Sequence, residues 1–287
     1  MIYKSGLIAI LALTGAAFPA TADPAFWTVS GDPANSFVPD QFSTVELNPP
    51  GVATVATLGD GSLGFNGGLT IGGGGALYAI ANDSNGAGSL FLVQPSGNTT
   101  LIGVAGGLGH GFLGGLTWYP KFSTFYAAVL DNAGNTTLAS ITSGGVASNL
   151  GKNLGTGFSG LAFDTANGLF YGIGNDDSGY STLYSFSFGG APTYVTALGF
   201  GFGALTYDAA NDVFWAISPV NNSGSQLFQI TPAGAASPDL ILGDGFVELA
   251  VQPASVPEPS VAGTFAAGLV FAFWLSRGKR RSNEKYS

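Results

Sequence analysis

His110 is the only imidazole in 287 residues, and the chain has no cysteine. Disulfides and thiolate metal sites are therefore excluded. A Ser–His–Asp arrangement has only this one base to draw on, and no nucleophile stands at a telling spacing from it, so no catalytic residue is assigned. What the sequence does offer is oxygen chemistry. Loops rich in Asp, Asn and Ser recur: Asp32 and Asn35; Asn82, Asp83 and Asn85; Asp131, Asn132 and Asn135; Asn175, Asp176 and Asp177; Asn221 and Asn222. A second set of loops carries Asp60, His110, Thr156, Phe200 and Asp244 at one variable position. Hard oxygen donors suit Ca²⁺ and polyols alike. The same residue types also close tight turns, because they tolerate left-handed backbone and bond their own main chain. Both readings stay open. Asp83, His110, Asp131, Asp176, Asp177 and Asp244 form the candidate ligand-binding face, and any metal it takes is undetermined. The adjacent Asp176 and Asp177 suit a glycosidase only if they converge, whereas chain neighbours tend to point apart. Trp118, Tyr119 and Tyr180 are candidate sugar-stacking aromatics, although sheet cores need aromatics too.

These loops need a scaffold, and the scaffold is repetitive. Leu108-Gly109-His110-Gly111-Phe112 returns as Leu154-Gly155-Thr156-Gly157-Phe158, Leu198-Gly199-Phe200-Gly201-Phe202 and Leu242-Gly243-Asp244-Gly245-Phe246, with a looser copy from Leu58 to Phe65. The Phe positions fall at 65, 112, 158, 202 and 246, a period of 44 to 47 residues. Each is followed by a short run: Gly68-Leu69-Thr70, Gly115-Leu116-Thr117, Gly160-Leu161-Ala162, Ala204-Leu205-Thr206 and Glu248-Leu249-Ala250. One copy reads as four strands, over 159–163, 169–174, 182–187 and 194–198, separated by turn residues. Four antiparallel strands in ~40–50 residues is the pattern of a propeller blade. Phe26-Trp27-Thr28-Val29-Ser30 matches Phe214-Trp215-Ala216-Ile217-Ser218, the second strand of a blade. The first copy thus lacks its inner strand, and residues 247–251 are an inner strand left over. Pairing the two closes a ring and removes the open edge, which a solenoid would not need. The expected fold is all-β, a five-bladed β-propeller with terminal strand closure. The loop sets named above then share one mouth of the central channel.

Charge separates the body from its ends. Between Asp23 and Val256 there are two basic residues, Lys121 and Lys152, against fifteen acidic ones. Almost nothing there can neutralise phosphates, so nucleic acid is not an expected partner. Residues 1–22 read as an export signal: Lys4, an apolar stretch from Leu7 to Phe18, and Ala20-Thr21-Ala22 before a cut at Asp23. The body occupies 23–253 and the tail 254–287. In the tail, Val261 to Leu275 is almost wholly apolar and reads as one C-terminal transmembrane helix, at or just below the short limit for spanning. Arg277, Lys279, Arg280, Arg281 and Lys285 follow, and by the positive-inside tendency stay cytoplasmic. That puts the body on the far side of the inner membrane, where the N-terminal signal would also send it. Before the apolar stretch stand Val256-Pro257-Glu258-Pro259, held extended by their prolines.

This tail, from Val256 to Ser287, resembles the PEP-CTERM sorting signal of Gram-negative bacteria. The resemblance implies that Val256, Pro257, Glu258 and Pro259 are recognised by an exosortase-type sorting enzyme. It also implies a link to exopolysaccharide and biofilm or floc formation. Sequence reasoning thus arrives at an exported, non-enzymatic surface or matrix protein touching exopolysaccharide by its loop-rich face. The alternatives are an extracellular glycan- or lactone-processing enzyme with a Ca²⁺ site, and a scaffold with no small ligand. Fold alone does not separate them.

Overall fold

A computed structural model describes residues 25–31, 40–131, 134–155, 157–220 and 224–252. The chain divides into Met1–Gln252 and Pro253–Ser287, and all the described residues belong to the first unit. The export signal, the Pro-Glu-Pro motif, the apolar stretch and the basic end lie outside them. So do Asp32, Asn35, Asn132, Thr156, Asn221 and Asn222. Among the described residues no helix is long and apolar enough to cross a membrane.

Five antiparallel sheets form the blades of a β-propeller. The first holds β1 (Ala25–Ser30), β2 (Asp40–Leu47) and β3 (Pro50–Leu58). The second holds β4 (Leu63–Gly64), β5 (Leu69–Ile71), β6 (Leu77–Asp83), β7 (Ala87–Val93), β8 (Thr99–Ile102) and β9 (Gly109–His110). The third is β10 (Phe112–Tyr119), β11 (Thr124–Leu130), β12 (Thr136–Thr142) and β13 (Ala147–Gly155). The fourth is β14 (Phe158–Asp164), β15 (Leu169–Asn175), β16 (Tyr180–Phe186) and β17 (Thr193–Phe200). The fifth is β18 (Gly203–Asp208), β19 (Val213–Val220), β20 (Gly224–Ile230) and β21 (Ala236–Gly243). The last strand, β22 (Phe246–Val251), joins the first blade.

β22 pairs antiparallel with β1, Trp27 opposite Ala250 and Thr28 opposite Leu249. The Thr28 hydroxyl donates to the Glu248 carbonyl at 2.6 Å, across 220 positions of sequence. The inner strands β5, β10, β14, β18 and β22 stand side by side around the axis, and β22 touches β5 to complete the circle. The ring expected from the matching chain ends is present. The second blade departs from the pattern. Its inner strand is broken into β4 and β5, which flank a glycine-rich stretch.

Burial explains why the sequence reads as it does. Second strands are covered on both faces by neighbouring blades: every residue of β11 from Phe125 to Val129 is buried. Outer strands face water, as in β3, where all but Ala56, Thr57's neighbour, and Leu58 are exposed. Core clusters bridge consecutive blades. One joins Val29 and Phe42 to Phe65, Leu69 and Phe91. Phe65, Phe112, Phe158 and Phe202 of the repeated motif are buried, and Phe246 is half-buried. Three of these Phe N–H groups donate to a side chain of the preceding blade: Phe65 to Asp40, Phe158 to Thr136 and Phe202 to Ser181.

Candidate functional site

The channel mouth is built by a repeated irregularity. In β10, β14 and β18 the register with the second strand slips just after the motif, between Phe112 and Leu116, Phe158 and Gly160, and Gly203 and Leu205. β22 slips at the matching place, between Phe246 and Glu248. Bulges of this kind re-aim side chains and end regular pairing. Here they open a cavity of about 680 Å³, lined among others by Asn66, Asn82, Asp83, Ser159, Phe246 and Glu248.

The residue before the inner-strand leucine is Gly68, Gly115, Gly160, Ala204 and Glu248 in the five copies. Small residues are needed because the inner strands nearly touch. A Cβ on Gly115 would lie 2.8 Å from the Leu161 amide nitrogen. Four small residues leave space near the axis for one side chain, and Glu248 fills it. Glu248 is 4 % exposed. The backbone N–H groups of Gly68 and Leu69 point to its carboxyl, tying β22 to the start of β5. Burial pushes the carboxyl up to about 8, outweighing those two N–H groups, which lower it. At neutral pH the group is therefore mostly an uncharged acid. Among the described residues no Lys, Arg or His lines the cavity.

Amides and hydroxyls surround this acid. Asn82 Nδ2 donates to Asn66 Oδ1 and to the Phe112 carbonyl, both at 2.9 Å. Asn82 Oδ1 is buried without a partner. Ser159 Oγ donates to the Phe202 carbonyl at 3.1 Å and accepts from Asn175 Nδ2 at 2.7 Å.

Of the six candidate residues read from sequence, Asp83 lines this cavity, and three, Asp83, Asp131 and Asp176, have carboxyls committed to their own loops. Asp83 accepts from the Ala87 and Asn85 N–H groups at 2.9 and 2.8 Å, which hold its carboxyl below the usual range. Asp176 accepts from the Ser178 and Tyr180 N–H groups, both at 2.9 Å. Asp131 accepts from the Asn135 N–H at 2.8 Å. Turn closure thus occupies all three. Asp177 and Asp244 are exposed. His110 is exposed too, with Nδ1 3.2 Å from the Asn85 carbonyl oxygen. It lines a separate cavity of about 320 Å³ with Asp131, whereas Asp83 lines the main one. Among the described residues no group of three or more His, Cys, Asp or Glu could hold a metal ion. Trp118 packs on Phe125 at 4.7 Å and Tyr119 on Phe163 at 4.4 Å, so both serve blade packing. Tyr180 is exposed as the stacking reading requires, edge-on to exposed Phe200 at 6.1 Å. Glu248 was absent from the sequence-derived site. Its signal was the one non-small residue in the aligned series of five.

No family model matches this chain, and no curated protein matches it. Solved structures do. One is a chain in the crystal structure of a nidogen/laminin complex, with 11% identity, 81% of this chain and 99% of that one covered, and a TM-score of 0.55. Another is TolB from Acinetobacter baumannii, with 14% identity, 77% and 53% covered, and a TM-score of 0.51. This chain spans about half the length of that TolB. At such identities the likeness is one of fold alone.

Proposed function

We propose that this chain is an exported surface or matrix-associated protein whose propeller holds exopolysaccharide at the channel mouth. Its tail is proposed to be recognised through Val256-Pro257-Glu258-Pro259 by an exosortase-type enzyme, after Val261–Leu275 has held it in the inner membrane. The observation carrying the binding role is the mouth cavity: about 680 Å³, lined among the described residues by amides, hydroxyls, the buried acid Glu248 and the carboxylate Asp83, and by no basic residue. Polar walls that carry a carboxylate and no basic group, with some apolar surface, suit a polyhydroxylated ligand better than a phosphate. An acidic body also disfavours nucleic acid.

One observation favours an enzyme as the second reading. An acid kept protonated at neutral pH inside a cavity is what a general acid requires. The second carboxylate lining that cavity, Asp83, is committed to its own loop. The test is to purify residues 23–253, whose ring closes within 25–252. They are co-sedimented with exopolysaccharide prepared from the producing cells, and the polymer is assayed for shortening. Saturable binding without shortening supports the matrix role. Shortening puts the enzyme first, and the absence of both binding and shortening overturns the polysaccharide reading.

A further inference from the structure

Glu248 has a feature that turn chemistry and blade packing do not explain. Its carboxyl has Gly68 and Leu69 N–H as its hydrogen-bond partners, and both are donors. They satisfy carboxyl oxygens as acceptors. Among the described residues neither of these two partners can accept the acid proton, and Glu248 lines a cavity open to solvent. A buried polar hydrogen without a partner is costly, and the natural remedy is an acceptor brought by a ligand.

We propose that Glu248 is a proton-gated recognition group: protonated, it donates to a hydroxyl or ether oxygen of a neutral saccharide in the mouth cavity, and ionised, it cannot. The proposal rests on the polysaccharide-binding reading and names the group that selects the ligand and the condition under which it does so. The surroundings favour the uncharged form. β1 and β5 carry no titratable side chain. Those on β10, β14 and β18 are Tyr119, Asp164, Tyr207 and Asp208, all in the last two positions of their strands. Glu248 aligns with Gly115, Gly160 and Ala204, three or four residues earlier. β19, which also packs against β22, has none. Among the described residues the remaining titratable group on the cavity wall is Asp83, another acid, and no cation stands there to stabilise an ionised Glu248. Ionisation would also set a negative charge against the oxygen that the ligand presents.

Glu46 and Glu248 are the only glutamates in residues 23–253, so carboxyl labelling of glutamate is nearly site-specific. The body labelled with ¹³C at the glutamate side-chain carboxyl is titrated by NMR, and the Glu248 signal is assigned by its loss in Glu248→Gln. That signal should be a protonated acid at pH 7 and titrate near 8. An ionised Glu248 at pH 7 overturns the proposal without any ligand. Co-sedimentation with the same exopolysaccharide is then run at pH 6.5 and 9.5. Wild type should lose affinity on the order of tenfold or more at the higher pH. Glu248→Gln keeps a neutral donor at both and should bind equally at both. Glu248→Ala, which has no donor, should bind weakly at both. Equal pH profiles for wild type and Glu248→Gln overturn the gating while leaving polysaccharide binding intact. Absence of binding by all three proteins at both pH values overturns the binding reading, and the gating with it.

Discussion

Burying one acid has a consequence for stability as well as for binding. The folded state holds the Glu248 proton up to about pH 8, against 4.5 for the free side chain. The unfolded chain therefore releases its proton first. The contribution is full below about pH 4.5, declines as pH rises towards about 8, and is level above that. Glu248→Gln has no such titration. Chemical denaturation at several pH values should show the variant gaining on wild type by on the order of 4 kcal/mol across that window. A constant difference between the two would contradict it. Asp164 behaves in the opposite sense. It is fully buried; burial pushes its carboxyl up, but bonds from Asn167, Ala166 and Tyr207 outweigh this and lower it. Its stabilisation is present above the ordinary value of 3.8 and is lost as pH falls through the lowered one. Asp164→Ala should cost roughly 2–3 kcal/mol at pH 7, with the cost shrinking in acid. At this scale the sequence was only partly legible. Asp83, Asp131 and Asp176 could be placed on one face, but a turn-closing Asp and a ligating Asp are the same residue type. Only the backbone N–H groups in front of them decide. Glu248 was hidden because it was read as one member of an apolar run.

Elements depend on where the backbone must pass close to itself. The second glycine of the repeated motif faces the end of the blade's second strand. Gly157 has φ +69°, and a Cβ there would lie 2.2 Å from the Asn175 carbonyl oxygen. The Asn175 N–H bonds back to the Gly157 carbonyl at 2.9 Å, so the two segments cannot separate without losing it. Gly168 has nearly the same φ, +70°, but nothing within 4 Å of the added atom. Gly168→Ala should therefore cost about 1 kcal/mol from backbone strain alone. Gly157→Ala should cost at least twice that, as read from urea midpoints of the two variants. Equal costs would mean that the close approach does not constrain the fold. Strand positions were legible to within one or two residues, because doubly covered strands read as continuous apolar runs and turns are rich in Gly, Asn and Asp. The broken inner strand of the second blade was not. Between its two pieces, Gly67 and Gly68 supply no side chains whose alternation marks a strand.

For the molecule as a whole, closure is the decisive feature. β22 supplies the inner strand that the first blade lacks and carries Glu248 to the axis. Ending the body at residue 245 would expose β1 along its length and empty that part of the channel wall. Such a truncation should unfold at a lower temperature with a broader transition and self-associate, as seen by calorimetry and light scattering. A truncated body as stable and monomeric as the intact one would contradict closure. This was legible because the strand missing at one end is the strand left over at the other. The binding role was less so: the cavity arises from bulges in the inner strands, and a bulge leaves no residue signature distinct from the surrounding glycines. The most direct measurement is a hydroxyl-radical footprint of the body with and without exopolysaccharide from the producing cells. Protection should concentrate on Phe246 and Val247, which line the cavity, and on exposed Phe200. Protection of the neighbouring exposed Phe122 and Phe188 instead would place the ligand on turns away from the cavity and contradict the channel-mouth reading.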